Sequence, residues 1–78
     1  MLDELSVVTL TRDISEEGLR RGAIGTIVHV YPNGAAYEVE FDRIEGKSVP
    51  LATLAPGDIR LATDREIALA QQTAQAAK

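Results

Sequence analysis

The chain lacks cysteine and tryptophan, and it has few aromatic residues of any kind. Its 78 residues include two tyrosines and one phenylalanine. The absence of cysteine excludes a disulfide framework, an iron-sulfur cluster and a thiolate zinc site. Grooves that bind proline-rich peptides are lined by several exposed aromatic side chains. Because the alternation of residues around Tyr37 and Phe41 predicts that both are in the core, a groove of that kind is excluded as well.

Long hydrophobic runs are also absent. A membrane-spanning helix needs about 20 apolar residues, and no apolar stretch of this sequence approaches that length. The first residues, "MLDELSVVTL", carry Asp3 and Glu4 where a secretory signal would carry basic residues. We therefore expect a cytoplasmic protein that does not attach to a membrane.

Basic charge is in short supply. Twelve acidic residues against eight basic ones give a formal net charge of −4. This balance disfavours non-specific attraction to phosphate backbones and to anionic membranes, so nucleic acid is an improbable partner.

The residue patterns of catalysis are missing too. The serines lack the context of a nucleophile elbow, and "GLRRGAIG" lacks the ending of a phosphate-binding loop. His29 is the only histidine, and we expect it to be a packed or half-exposed strand residue on the same face as Ile27 and Tyr31. The sequence therefore predicts a protein that is not an enzyme and that needs no cofactor and no metal.

What the chain does contain is alternation of apolar and polar residues, which predicts strands. Val8 and Leu10 share one predicted face, and in the fourth strand Val49 and Leu51 are expected to point inward. Pro50 cannot donate to a ladder of hydrogen bonds, which places that strand at a sheet edge. The five predicted strands are Ser6–Arg12, Ile24–Tyr31, Ala36–Asp42, Lys47–Leu54 and Asp58–Thr63.

Glycine and proline mark the connections between these strands. Residues 13–22 read as an exposed loop, and Gly25 inside a strand indicates a bulge, a sharp bend or a close backbone approach. The segment "YPNG" fits a type I turn followed by a left-handed glycine. The predicted turn and bulge positions are Gly18, Gly22, Gly25, Pro32, Gly34 and Gly46.

The C-terminal segment has a helical residue pattern and not the alternation of the strands. Thr63 and Glu66 form the pattern of a capping box, and strong helix formers follow, which predicts a helix over Asp64–Ala76. A weakly amphipathic helix of this length is not stable alone. It is expected to dock on the rest of the chain or to pair with a second copy in a homo-oligomer. The outer patch that we expect it to cover consists of Val7, Ile27 and Tyr31.

Together these patterns predict a mainly β fold, a small five-stranded SH3-like barrel in residues 1–62 with a C-terminal α-helix in residues 63–78. Within that class the sequence resembles a family of short bacterial proteins known only as a domain of unknown function. The resemblance covers about residues 4–61. It rests on Leu10-Thr11, Gly18-Leu19, Gly22, Gly25-Thr26, Val28, Val30, Tyr37 to Phe41, and Leu54. It implies a fold and brings no established activity.

The glycine-spaced second strand is also similar, more loosely, to the KOW motif of ribosomal and transcription-elongation proteins. That likeness implies contact with RNA or RNA polymerase. KOW segments that bind RNA lie in basic surroundings, whereas this chain is acidic. A KOW-like module is therefore the alternative function.

Two groups of charged residues are candidates for contact with a partner. Arg20 and Arg21 in the long loop can grip phosphate or carboxylate groups, unless they only balance nearby loop acids. Glu38, Glu40 and Asp42 form an acidic row that can receive a basic patch, unless a cross-strand cation such as Lys47 or Arg12 neutralises it. The predicted function is that of a binding or accessory module that contacts another protein, either as a regulatory partner or as the neutraliser of a separately encoded protein.

Overall fold

Five antiparallel strands form one sheet in the order β4-β3-β2-β1-β5, and a helix follows the last strand. The computed structural model describes residues 1–41 and 51–76, with side chains of the final helix described through residue 71. The elements are β1 (Val7–Leu10), β2 (Ile24–Val30), β3 (Tyr37–Phe41), β4 (Leu51–Leu54), β5 (Ile59–Leu61) and α1 (Asp64–Ala76). The prediction of a mainly β, five-stranded fold with a C-terminal helix is confirmed.

The inner face of the sheet forms the core. In β3 the alternation holds as predicted, since Tyr37, Val39 and Phe41 are all buried. They pack with Val8 and Ile27, neither of which has any exposed surface. Burial of a large apolar side chain contributes about 1.5 to 3 kcal/mol, so these strands supply most of the stabilisation.

In strand β4 the side chain of Leu51 points outward, and the prediction that it points inward is wrong. This side chain is 52% exposed, whereas Ala52 and Leu54 are buried. The register explains the difference, because Ala52 lies opposite Val39 and Leu54 opposite Tyr37, and both of those partners face the core. Val49 and Pro50 lie outside the described residues. Strand β4 pairs with β3 alone among the described strands, which agrees with its predicted place at an edge.

The long loop between β1 and β2 is not wholly exposed. Ile14 and Leu19 form a two-residue bridge with each other, and both are buried in the core. Between them the chain makes a short 3₁₀ turn, Ser15–Glu17, and Gly18 closes it with a φ of 69°. The loop is therefore anchored by its own apolar residues, and only its charged positions reach the surface.

Gly25 is required for close approach. A Cβ atom there would lie 2.7 Å from Val39 Cγ1 and 3.0 Å from the carbonyl oxygen of Glu40. The bulge lies elsewhere, because the pairing of β2 with β3 shifts register between Ile27 and His29. Of the three interpretations of Gly25, the bulge is thus wrong and the close backbone approach is correct.

The bulge also changes which way His29 points. Ile27 is buried in the core, whereas Val28 and His29 are both exposed. A bulge places two residues opposite one on the neighbouring strand, so strict alternation fails beyond it. The prediction that His29 shares a face with Ile27 is therefore wrong.

The hairpin turn between β2 and β3 differs in type from the prediction. Pro32 occupies the second position, and the amide of Gly34 donates to the carbonyl oxygen of Tyr31 at 3.0 Å. Asn33 has a φ of 61°, which is a feature of type II turns and not of type I turns. Gly34 is left-handed, as expected, with a φ of 67°. Gly46, the other predicted turn glycine beyond β3, lies outside the described residues.

The helix begins at its predicted residue. The backbone amide of Glu66 donates to Thr63 Oγ1 at 3.1 Å, and the amide of Thr63 donates to Glu66 Oε1 at 2.8 Å. These two bonds are the reciprocal pair of a capping box, so that prediction is confirmed. The helix docks near Thr9 and Ile24, not over Ile27, which lies in the core.

Candidate functional site

The outer face of the sheet is divided into two halves by the helix. In the covered half, β5, β1 and β2 place Arg60, Thr9 and Ile24 side by side. The start of the helix packs over this row, and Thr9 is only 1% exposed although it points away from the core. The covered half is thus a second layer in which Thr9 is buried and its neighbours are partly covered.

Glu66 ties the helix to the covered half. Its carboxylate accepts two hydrogen bonds from the Arg60 guanidinium, at 2.9 and 2.7 Å, and a third from the Thr9 hydroxyl at 3.1 Å. The Arg60 hydrogen bonds, followed by the Thr63 amide, lower the pKa of Glu66 to about 2. The carboxylate is therefore ionised throughout the physiological pH range, and its role here is structural.

The other half, formed by β2, β3 and β4, carries no helix in the described part of the chain. We call it the open face. Its residues stand in cross-strand rows, since Glu40 lies between Thr26 and Leu51, and Glu38 lies between His29 and Thr53. The open face consists of Thr26, Val28, His29, Tyr31, Glu38, Glu40, Leu51 and Thr53.

Glu38 is held in place at the centre of the open face. Its Oε1 atom accepts a hydrogen bond from the Tyr31 hydroxyl at 3.1 Å and another from the Thr53 hydroxyl at 2.6 Å. The edge of one aromatic ring meets the face of the other between His29 and Tyr31, with ring centroids 4.7 Å apart. These contacts fix four neighbouring side chains, so the surface is ordered before any partner arrives.

Neither acid of the open face is paired with a cation among the described residues. The ion pairs in this part of the chain join Arg12 to Asp58 and Arg60 to Glu66. The bond with Arg12 lowers the pKa of Asp58. Arg12, one of the cations that the sequence offered for the acidic row, is thus engaged at the other end of the sheet. The third acid of the predicted row, Asp42, and the other proposed cation, Lys47, lie outside the described residues.

Arg20 and Arg21 lie in the long loop that precedes β2. Both are exposed, and the backbone amide of Arg21 donates to Asp13 Oδ1 at 2.8 Å. Of the two described acids, Glu40 lies opposite Thr26 near the start of β2, and Glu38 lies opposite His29 toward its other end. No ion pair joins either arginine to these acids within the described residues. Neither guanidinium makes an ion pair within the described residues.

The described residues contain neither a metal-binding cluster nor a membrane-spanning helix. Within residues 1–41 and 51–76, no three histidine, aspartate or glutamate side chains converge in a way that could hold a metal ion. The helix found in the same ranges is too short and too polar to span a bilayer.

Sequence reasoning identified Glu38 and Glu40 and missed their neighbours. Ile27 was placed on the outer face together with His29, but it lies in the core, because one extra residue in β2 puts the two side chains on opposite sides of the sheet. The contacts of the Tyr31 and Thr53 hydroxyls with Glu38 could not be predicted. They depend on the register in which three strands pair, and a single sequence does not specify that register.

The fold and its open face define a small antiparallel β domain whose exposed polar residues lie on a sheet surface. The family model described as "Domain of unknown function (DUF4926)" matches residues 4–61, and the chain belongs to this family. The match includes all five strands and ends before the helix. No curated protein and no solved structure matches the chain.

Proposed function

We propose that the protein is a non-enzymatic binding module that contacts another protein through the open face. The observation that carries this proposal is the ordered set of exposed side chains around Glu38, on the half of the sheet that the helix leaves uncovered. Sites that enclose a small substrate are concave, whereas these groups lie on the outer surface of a sheet. A surface of this kind suits contact with a partner as an accessory subunit or as a neutraliser.

The proposed scaffold is an SH3-like barrel. The strand order places β1 between β2 and β5, and a 3₁₀ turn, Pro56–Asp58, directly precedes β5. A long loop after the first strand and a tight hairpin after the second complete the likeness. In such a scaffold the sheet stays rigid, and the loops and outer face vary to suit a partner.

The open face is tested by a matched pair of leucine substitutions. Leu51 on the open face is 52% exposed, and Leu61 on β5 is 56% exposed. We expect Leu51→Arg to abolish capture of a stoichiometric protein partner from the native lysate after nuclease treatment. Leu61→Arg, an equal change at an equally exposed leucine, should leave capture intact. Equal loss in both variants, or in neither, would reject the open face as the binding surface.

The alternative is a KOW-like module that binds nucleic acid. The observation that favours it is the exposed Arg20 and Arg21 pair, which has no ion-pair partner among the described residues. The test is fluorescence anisotropy with labelled RNA and DNA at low salt. Micromolar affinity that falls steeply with salt and disappears in Arg20→Gln/Arg21→Gln would support this alternative.

A further inference from the structure

We propose that the partner of the open face presents an extended basic segment with arginine or lysine at alternate positions. This inference rests on the proposed function, because it names the partner of the same surface. It is carried by three properties of the open face: its two acids without a cationic partner among the described residues, the fixed orientation of one carboxylate and the apolar side chains beside it.

The charge of the open face has one sign. Glu38 and Glu40 point to the same side of β3, about 6.5 to 7 Å apart, as alternate residues of a strand. No cation of the described residues pairs with either of them. The whole chain adds to this field with its net charge of −4. Such a field attracts a basic partner and repels an acidic one.

The orientation of Glu38 favours a directed contact. Both hydrogen bonds that Glu38 accepts from described residues end on Oε1, from Tyr31 and from Thr53, so within that part of the chain Oε2 is the acceptor for an incoming donor. Glu40 is exposed, and none of its carboxylate oxygens is engaged within the described residues. A guanidinium can therefore bind Glu40 through two hydrogen bonds and a second cation can bind Glu38 through one.

Apolar side chains flank the two acids. Leu51 on β4 is 52% exposed and Val28 on β2 is 37% exposed. They lie on the two strands that border β3, so a segment that crosses the acids also meets an apolar side chain on either side. The aliphatic stems of the lysine or arginine side chains that bind the acids can cover this apolar surface. An extended chain presents alternate residues to one side with the same spacing as Glu38 and Glu40.

The test uses two synthetic ten-residue peptides, one alternating arginine and valine and the other alternating glutamate and valine. Each is titrated into the isotopically labelled full chain and followed by NMR at low and high salt. We expect the arginine peptide to shift the amide signals of Glu38, Glu40 and Thr53. Its affinity should fall about tenfold or more in Glu38→Gln/Glu40→Gln, as expected when close charge pairs are lost. The glutamate peptide should not bind.

The matched control is Glu16→Gln/Glu17→Gln, which removes the same charge from the exposed turn of the long loop. It should retain the affinity of the wild type. Equal weakening in both double variants, or shifts confined to residues 12–22, would overturn the proposal and indicate non-specific attraction. Chemical shift dispersion and the melting temperature of each variant show whether it is folded.

The same variants separate this inference from the proposed function. If Leu51→Arg abolishes capture of the partner while Glu38→Gln/Glu40→Gln retains it, the open face is the binding surface and the basic chemistry is wrong. If neither variant affects capture, the open face itself is rejected.

Discussion

The two halves of the outer face are built from the same kind of strand residue and differ in what lies over them. Thr9 in the covered half is 1% exposed and donates its hydroxyl hydrogen bond to Glu66 of the helix. Thr53 in the open half is exposed and donates its hydroxyl hydrogen bond to Glu38 of the neighbouring strand. Two outward-facing threonines thus serve different purposes, one in internal packing and one in ordering a surface.

The difference shows how a small sheet combines a face that a helix partly covers with a face that the described residues leave open. A domain of this size buries a limited share of its surface, so an additional packed layer matters to its stability. The helix supplies that layer at one end, through Glu66, Arg60 and Thr9. The other end keeps its acids free of cations among the described residues, and this makes it the candidate for contact with a partner.

The largest expected effect is on the stability of the core, which lies beneath both halves of the outer face. Gly25→Ala places a Cβ atom 2.7 Å from Val39 Cγ1 and 3.0 Å from a backbone oxygen. We expect a loss of about 2 to 3 kcal/mol in the free energy of unfolding, since overpacking of a buried position forces shifts in its neighbours. Chemical denaturation measures the change. Gly57→Ala, where a Cβ atom meets nothing within 4 Å, is the control and should be close to neutral.

Removal of residues 64–78 tests the covered half. Truncation after Thr63 exposes Thr9 and Ile24 and removes the partner of Arg60. We expect a loss of about 1 to 2 kcal/mol, from the apolar surface returned to water, together with a lower melting temperature. An unchanged melting temperature and an unchanged mass by light scattering would show that the helix contributes neither to the covered half nor to an oligomer.

Acidification tests the Glu66 contacts when it is followed at the helix, away from the Arg12–Asp58 pair, whose carboxyl pKa is also lowered. The folded pKa of Glu66 is about 2, below its ordinary value of 4.5. A lowered carboxyl pKa gives stability that is complete above the ordinary value and is lost as the pH falls through the folded value. We therefore expect the helix to loosen between pH 4.5 and 2, followed by the NMR signals of Thr9. Glu66→Gln should lack this transition; if it shows the same transition as the wild type, another group is responsible.

The smallest expected effect concerns the open half. Tyr31→Phe removes one hydrogen bond to Glu38 and leaves the ring in place. Because the Thr53 bond remains, we expect a loss of about 1 kcal/mol or less in unfolding free energy. Affinity for the arginine peptide should fall several-fold, because the carboxylate is less well oriented. Unchanged affinity would show that Glu38 needs no fixed orientation, and a large loss of stability would show that the open face belongs to the core.

Much of the fold followed from local signals. The alternation of β3 predicted the burial of Tyr37, Val39 and Phe41, and the structure confirms it. The helix bounds and the capping box of Thr63 and Glu66 were also predicted, because a capping box is closed by residues three apart. Less of the candidate site could be predicted. Its two described acids were identified, whereas its hydroxyl partners and apolar borders come from other strands.

The errors share one physical cause. Leu51 and Ile27 were placed by strict alternation, but a strand takes its direction from the register of its neighbours. The bulge at Val28 adds a residue on one side of a pair, so His29 faces outward while Ile27 faces the core. Ile14 and Leu19 were assigned to an exposed loop because their segment is rich in charge and glycine, yet contact with the core decides their burial.

By itself the amino-acid sequence determined the strand segments, the turns, the start of the helix and the acidic character of the chain. These depend on side-chain periodicity, on backbone preferences and on charge, which act within a few residues. Tertiary structure alone decided where the helix lands, which half of the outer face stays open and which hydroxyl groups orient Glu38. Those outcomes depend on contacts such as that of Thr9 with Glu66, 57 residues apart, and only the folded sheet brings such residues together.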